Sequence, residues 1–222
     1  MLALVCAVLL EDPVLPTKLD LKAEQKWSDD VRLTYRQPDD DFEMTYVDRW
    51  NWTVGSVDAE GNVFLRRQRQ NLETLMNGQK LPGGDSGWVS LTLTNRGVLK
   101  QFEETAVDPE VELRLARVLA IAVPENDRVR TWTTKYPAAT EGKIPTTELT
   151  FTRLEGRDLT FTVMELGGKH PMTGKGKATL DANGTPLRLE LKLKNALIPG
   201  GDGEPAELSV LLTRVPVKGA KG

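Results

Sequence analysis

Hydrophobic and polar residues alternate one by one through much of this 222-residue chain. The clearest case is LRLELKLK, in which Leu187, Leu189, Leu191 and Leu193 alternate with charged residues. Successive side chains of a β-strand point to opposite faces of the sheet, so this pattern predicts a strand with one buried and one solvated face. Strands of this kind are typical of antiparallel sheets, because parallel sheets are usually covered on both faces.

The same alternation recurs in VRLTY (31–35), WVSLTL (88–93), ELTF (148–151) and LTFTV (159–163). Turn sequences rich in Asn, Asp and Gly separate the alternating runs: DAEGN (58–62), TNRG (94–97), LEGRD (154–158) and DANG (181–184). These residue types tolerate the left-handed backbone that tight hairpins require. The pattern predicts roughly ten to twelve strands.

One segment, DPEVELRLARVLAIAV at 108–123, instead repeats its apolar residues at helical spacing. Asp108 can cap the free amides of the first turn, Pro109 suits the first helical position, and Pro124 ends the run. We therefore predict a helix over 108–123 with Leu115 and Leu119 almost fully buried.

Together these elements predict a mainly β protein, in which a curved antiparallel meander surrounds one central helix at 108–123. The sheet is expected as a half-barrel or as two packed β halves, because its apolar face must be covered and one helix is available. The β-rich domain would span 17–216, either as one unit or as halves 17–107 and 124–216. Residues 217–222 are expected to form a flexible tail.

Two glycine-rich loops, LPGGDSG (81–87) and IPGGDGE (198–204), nearly repeat each other. A phosphate-binding loop is followed by a helix, whereas strand patterns follow both of these loops, so we interpret them as strand connections. This pair lies 117 residues apart, and a second partial match, LTLTNRGVLKQFE with ATLDANGTPLRLE, lies at an offset of 87. The two offsets conflict, so an internal duplication stays open.

Charge and composition argue against several classes of function. The net charge of −3 does not favour nucleic-acid binding, and the basic run RRQRQ (66–70) is interpreted as a solvated strand face. The single histidine, His170, lies in a glycine-rich loop, and Asp39 to Asp41 lack the spacing of a calcium loop. We predict no catalytic residues, no metal ligands and no cofactor, and hence no enzyme.

The N-terminal run MLALVCAVLL (1–10) is apolar but too short to cross a bilayer. It is similar to the apolar part of an export signal, although no Lys or Arg precedes it; the alternative is a buried strand. We assign residues 1–16 to this segment and predict a secreted, periplasmic or envelope protein that is not transmembrane. Its lone cysteine, Cys6, excludes an intrachain disulfide.

The sequence WNW offers the strongest candidate for a ligand site. Trp50 and Trp52 share one face of a predicted strand, where they would either line an apolar cavity or pack in the core. Trp132 is a third candidate for the lining.

The chain resembles the lipoprotein-carrier (LolA-like) half-barrels and similar exported β-rich bacterial proteins. The resemblance rests on the apolar run 1–10, the segment LDLKAEQKWSDDVRLTYRQ, the hairpin GKATLDANGTPLRLELKL and the single helix, and it covers residues 17–216. It implies a curved antiparallel sheet whose cavity binds lipid or acyl chains, although that family closes its cavity with more helices.

We therefore expect a non-catalytic secreted or envelope protein that binds an apolar or lipid-like molecule. The alternative is a structural module that docks to other protein chains or to copies of itself.

Overall fold

The computed structural model describes residues 14–82, 87–104, 108–140, 143–201 and 203–216. The run 1–10 with Cys6 and most of the segment 1–16 lie outside the described residues. So do residues 83–86 of the first PGGD loop and the predicted tail 217–222.

Twelve strands, one α-helix and a short 3₁₀ turn at Pro38–Asp40 make up the regular structure of the described residues. The strands of the first half are β1 (Lys26–Gln37), β2 (Phe42–Val57), β3 (Val63–Met76), β4 (Gln79–Leu81), β5 (Trp88–Leu93) and β6 (Leu99–Glu104). The helix α1 (Pro109–Leu119) follows. The strands of the second half are β7 (Thr131–Tyr136), β8 (Thr146–Arg153), β9 (Asp158–Leu166), β10 (Thr173–Leu180), β11 (Pro186–Leu197) and β12 (Pro205–Arg214).

All twelve strands belong to one antiparallel sheet. Its order is β6-β5-β3-β2-β1-β12-β11-β10-β9-β8-β7, with β4 paired to β3. The first and last strands meet at the centre, where Val31 of β1 lies opposite Leu212 of β12. The edge strands β6 and β7 are joined in the chain by the segment that contains α1. The predicted mainly β, antiparallel meander with one helix is therefore confirmed.

Contacts of the helix show that the sheet is strongly curved. Glu112 of α1 pairs with Arg67 of β3 at 3.0 Å, and Arg114 pairs with Glu165 of β9 at 2.5 Å. Six interstrand steps separate β3 from β9, which is about 29 Å in a flat sheet. A helix with its side chains is only about 10–12 Å wide, so both strands reach it because the sheet bends around it.

In LRLELKLK the alternating pattern assigned the buried face correctly, with one local exception. Leu189, Leu191 and Leu193 are buried, whereas Leu187 is 37% exposed. The pairing of β11 with β10 slips at this point, since Pro186 lies opposite Leu180 and Arg188 opposite Thr179. Leu187 is the extra residue of this irregularity and does not follow the alternation of the residues after it.

The helix begins as predicted and ends earlier. The Asp108 carboxylate accepts a hydrogen bond from the backbone N–H of Val111 at 3.4 Å, and Pro109 opens the first turn. The last helical residue is Leu119, because Ala120 has extended backbone, so the predicted end at 123 is four residues too late. Leu115 is buried as expected, but Leu119 is only partly buried.

The second PGGD loop connects two strands, as its sequence predicted. It lies between β11 and β12, and both Gly200 (φ 69°) and Gly203 (φ 87°) have the left-handed backbone that glycine adopts readily. The first PGGD loop precedes β5, which is next to an edge, whereas the second precedes the central strand β12. The strands that follow the two loops therefore do not occupy equivalent positions in the sheet.

Candidate functional site

An apolar cleft of about 90 Å³ lies between the C-terminal end of α1 and the sheet, mostly against strands of the first half. Aliphatic and aromatic side chains from β1, β2, β3, β5, β12 and the helix form most of its wall. The lining includes Leu19, Leu21, Trp27, Asp29, Trp50, Trp52, Arg67, Leu119, Ala120 and Thr185. Because Leu119 faces this cleft, it retains the partial exposure that distinguishes it from Leu115.

The segment before β1 covers one side of the cleft. The backbone N–H of Leu19 donates to the carbonyl of Asn95 at 2.7 Å, and that of Asp20 donates to the carbonyl of Asn183 at 3.0 Å. These two acceptors belong to the β5–β6 and β10–β11 turns, so the segment ties the two halves of the sheet together. Leu19 and Leu21 are both buried and both line the cleft.

Three tryptophans form an aromatic wall. Trp50 and Trp52 lie two residues apart on β2, and their ring centroids are 6.3 Å apart in an edge-to-face arrangement. Trp27 of β1 lies opposite Trp52 in the register and stacks on it at 5.8 Å. Both tryptophans of the WNW motif thus line the cleft. Trp27 was not among the predicted residues.

A buried ion pair adjoins the aromatic wall. Arg67 of β3 lies opposite Trp52 in the register, and its guanidinium carbon is 4.1 Å from the centroid of the Trp50 ring. A terminal nitrogen of Arg67 donates to the Glu112 carboxylate at 3.0 Å. Both residues are buried, so the helix carboxylate balances the positive charge that Arg67 brings to the cleft.

Asp29 is a second charged residue in the wall of the cleft. Its carboxylate accepts hydrogen bonds from Arg214 at 2.7 Å and from the indole N–H of Trp27 at 3.2 Å. Burial raises the pKa of the Asp29 carboxyl, and the positive charge of Arg214 offsets part of that rise. Arg214 also donates to Thr185 at 3.1 Å, which fixes the pair at the end of β12.

Trp132, the third predicted residue, lies elsewhere. It belongs to the edge strand β7, where it stacks on Phe151 at 5.5 Å. Its indole N–H donates to the carbonyl of Ala122 at 3.0 Å, in the segment that follows the helix. These contacts are those of a core residue with a satisfied polar atom.

Sequence reasoning missed Arg67, because the run RRQRQ was interpreted as solvated. Arg67 is only 4% exposed and continues the inward face of Val63 and Leu65 on β3. Those three residues share one parity along the strand, and this was the available signal. Because neighbouring residues of the run are also charged, the inward position of Arg67 was not recognised.

Comparisons with known proteins give little further guidance. The chain matches no protein-family model and no curated protein. It is similar to a solved structure from Bacteroides fragilis described as a "putative exported protein with YMCC-like fold". The two chains are 10% identical with a TM-score of 0.31, over 90% of this chain and 100% of the other. In the described part of this chain, no helix has the length and apolar character needed to cross a membrane.

Proposed function

We propose that this chain is a non-catalytic binding protein that takes an apolar or lipid-like molecule into the cleft beside Trp50 and Trp52. The observation that carries the proposal is space left unfilled inside an apolar, aromatic wall. Protein interiors are normally packed as densely as organic crystals, so such space is uncommon in a core. The resemblance to the lipoprotein carriers points to the same class of ligand.

The size of the cleft limits what it can hold as it stands. An engineered cavity of about 150 Å³ admits benzene, whereas this cleft measures about 90 Å³. It therefore fits a short piece of an acyl chain, such as a carbonyl group with its adjoining carbons, rather than a whole lipid. A longer chain would enter if the segment with Leu19 and Leu21, or the residues after the helix, moved outward.

A titration with methyl octanoate, followed by tryptophan emission, tests the proposal. We expect a saturable blue shift, because an alkyl chain entering the cleft displaces water from the indole rings. The affinity should change little between low and high salt, since burial of apolar surface supplies the driving force. No saturable signal by fluorescence or by calorimetry would contradict the proposal.

Matched variants assign the binding to this cleft. Ala120→Leu adds side-chain volume to the cleft wall and should abolish binding, whereas Ala138→Leu makes the same change at an exposed position and should not. The double variant Trp50→Leu and Trp52→Leu should weaken binding measured by calorimetry. Unchanged affinity in that variant would mean that these tryptophans serve only as core.

The sheet edges bear on the alternative, an assembly module. The edge strands β6 and β7 are each six residues long and carry the exposed Lys100 and Lys135. Short, charged edges discourage strand pairing with another chain. These features favour ligand binding over assembly through the edges.

Export to the envelope or the exterior is also part of the proposal, and it rests on the apolar run 1–10. Fractionation of a bacterial host that expresses the full chain, with mass spectrometry of the N-terminus, tests it. Recovery of the uncleaved chain in the cytoplasm alone would contradict export.

A further inference from the structure

In the described part of the chain, three hydrogen-bond donors of the cleft wall lack an acceptor: the indole N–H groups of Trp50 and Trp52 and the Nε–H of Arg67. Trp50 is 2% exposed and Arg67 is 4% exposed. Buried polar groups are almost always paired, so an unpaired one calls for an explanation. A ligand with a hydrogen-bond acceptor would satisfy these donors.

The side chains of Trp50 and Arg67 are direct neighbours in this wall. They lie on the neighbouring strands β2 and β3, and the Arg67 guanidinium carbon is 4.1 Å from the Trp50 ring centroid. Both side chains line the same cleft, whose wall is otherwise mostly apolar. A pocket of this composition orients its ligand through a small number of polar groups.

Charge balance in the cleft decides the kind of acceptor. Arg67 is already paired with Glu112, and Asp29 with Arg214. An added carboxylate would bring a buried charge that nothing on the wall compensates, at a large desolvation cost. A neutral carbonyl oxygen can accept from the same donors without that cost.

We propose that the ligand of this cleft is an acyl chain whose head is an uncharged carbonyl group, as in an ester or an amide, and that Trp50 and Arg67 donate to its oxygen. This inference rests on the proposed function and specifies its ligand class. It assigns Trp50 a polar role in addition to its apolar surface.

The test compares methyl octanoate with undecane, which has the same number of non-hydrogen atoms, in the wild type and in Trp50→Phe. The substitution keeps an aromatic ring and removes the indole donor. The hydration free energy of each unbound ligand does not depend on the protein. It therefore cancels when the ratio of the dissociation constants for undecane and methyl octanoate is compared between the wild type and a variant. We expect the preference for the ester to fall by about two- to tenfold in Trp50→Phe, the range of a typical net hydrogen bond.

Further variants provide the controls. Arg67→Lys retains a positive charge for Glu112 but lacks the Nε donor, and it should reduce the same preference. Trp132→Phe removes an indole that lies outside the cleft and should leave the preference unchanged. Circular dichroism and denaturant melts establish that each variant folds.

The outcomes separate the two proposals. If the wild type binds neither compound, the proposed function fails. If it binds both and the preference is the same in Trp50→Phe and Arg67→Lys as in the wild type, apolar binding stands and the carbonyl inference is overturned. Tighter binding of octanoate than of its methyl ester at neutral pH would overturn the assignment of an uncharged head.

Discussion

At the scale of single residues, the buried carboxyl of Asp29 makes stability depend on pH. Burial raises its pKa above the ordinary value of 3.8, although Arg214 opposes the shift. A carboxyl group whose pKa is higher in the folded state holds its proton more tightly when folded. Its contribution to the free energy of unfolding is therefore fully present below pH 3.8 and is lost as the pH rises through the raised value.

The direction of this pH dependence gives a prediction for Asp29→Asn, because the asparagine side chain does not titrate. The free energy of unfolding of the wild type, minus that of the variant, should fall as the pH rises from about 4 through the raised pKa, and should then level off. Urea melts of both proteins across this range measure the difference. A difference that grows with pH would show that the ion pair with Arg214 outweighs desolvation.

The tryptophans show what the alternation of side chains along a strand can and cannot predict. It placed Trp50 and Trp52 on one face without any knowledge of the fold, because side-chain direction along a strand is a local property. It could not identify Trp27, which joins the cleft through the pairing of β1 with β2. Nor could it show that Glu112 of the helix would balance Arg67, since these residues are 45 positions apart in the chain.

At the scale of elements, the helix packs in the core at Leu115 and borders the cleft one turn later, at Leu119. Leu115 is buried, and its replacement by Ala should lower the free energy of unfolding by about 2–5 kcal/mol through lost burial and a new cavity. Leu119 is partly exposed beside an existing space, so Leu119→Ala should cost less. Denaturant melts of the two variants check the order, and a larger loss for Leu119→Ala would contradict this account.

Alternating sequence patterns predicted the strands well because each strand has one solvated face and one buried face. The errors arose where a neighbouring element decides the conformation. Leu187 departs from the alternation because β11 slips against β10, which its own sequence does not reveal. The helix stops at Leu119 although the apolar run Ala120 to Val123 contains no Gly or Pro to end it. There the chain becomes extended, and the carbonyl of Ala122 accepts from Trp132.

At the scale of the whole molecule, α1 acts as a bridge between the two halves of the sheet. Glu112 pairs with Arg67 in the first half, and Arg114 pairs with Glu165 in the second. The pairing of β1 with β12 joins the same halves at the centre. The predicted division into 17–107 and 124–216 stays a prediction, and the bridge provides a way to test it.

Replacing Glu165 removes the ion pair that joins α1 to the second half of the sheet. Its carboxylate accepts from Arg114 at 2.8 Å and 2.5 Å and from the backbone N–H of Met172 at 2.8 Å. Both ionic partners are buried, and removing one charge leaves the other uncompensated. Glu165→Gln should therefore lower the free energy of unfolding by about 3–5 kcal/mol. Glu155→Gln, the same change at an exposed turn position, should alter it by less than about 0.5 kcal/mol.

Hydrogen exchange distinguishes one cooperative unit from two. If the halves share one core through α1 and the β1–β12 pairing, Glu165→Gln should reduce the protection of β2 as much as that of β9, although five interstrand steps separate these strands. Cooperative units of this kind lose protection together. If β2 kept its wild-type protection while β9 lost it, the halves would unfold independently. The helix would then connect two domains that pack against each other rather than one.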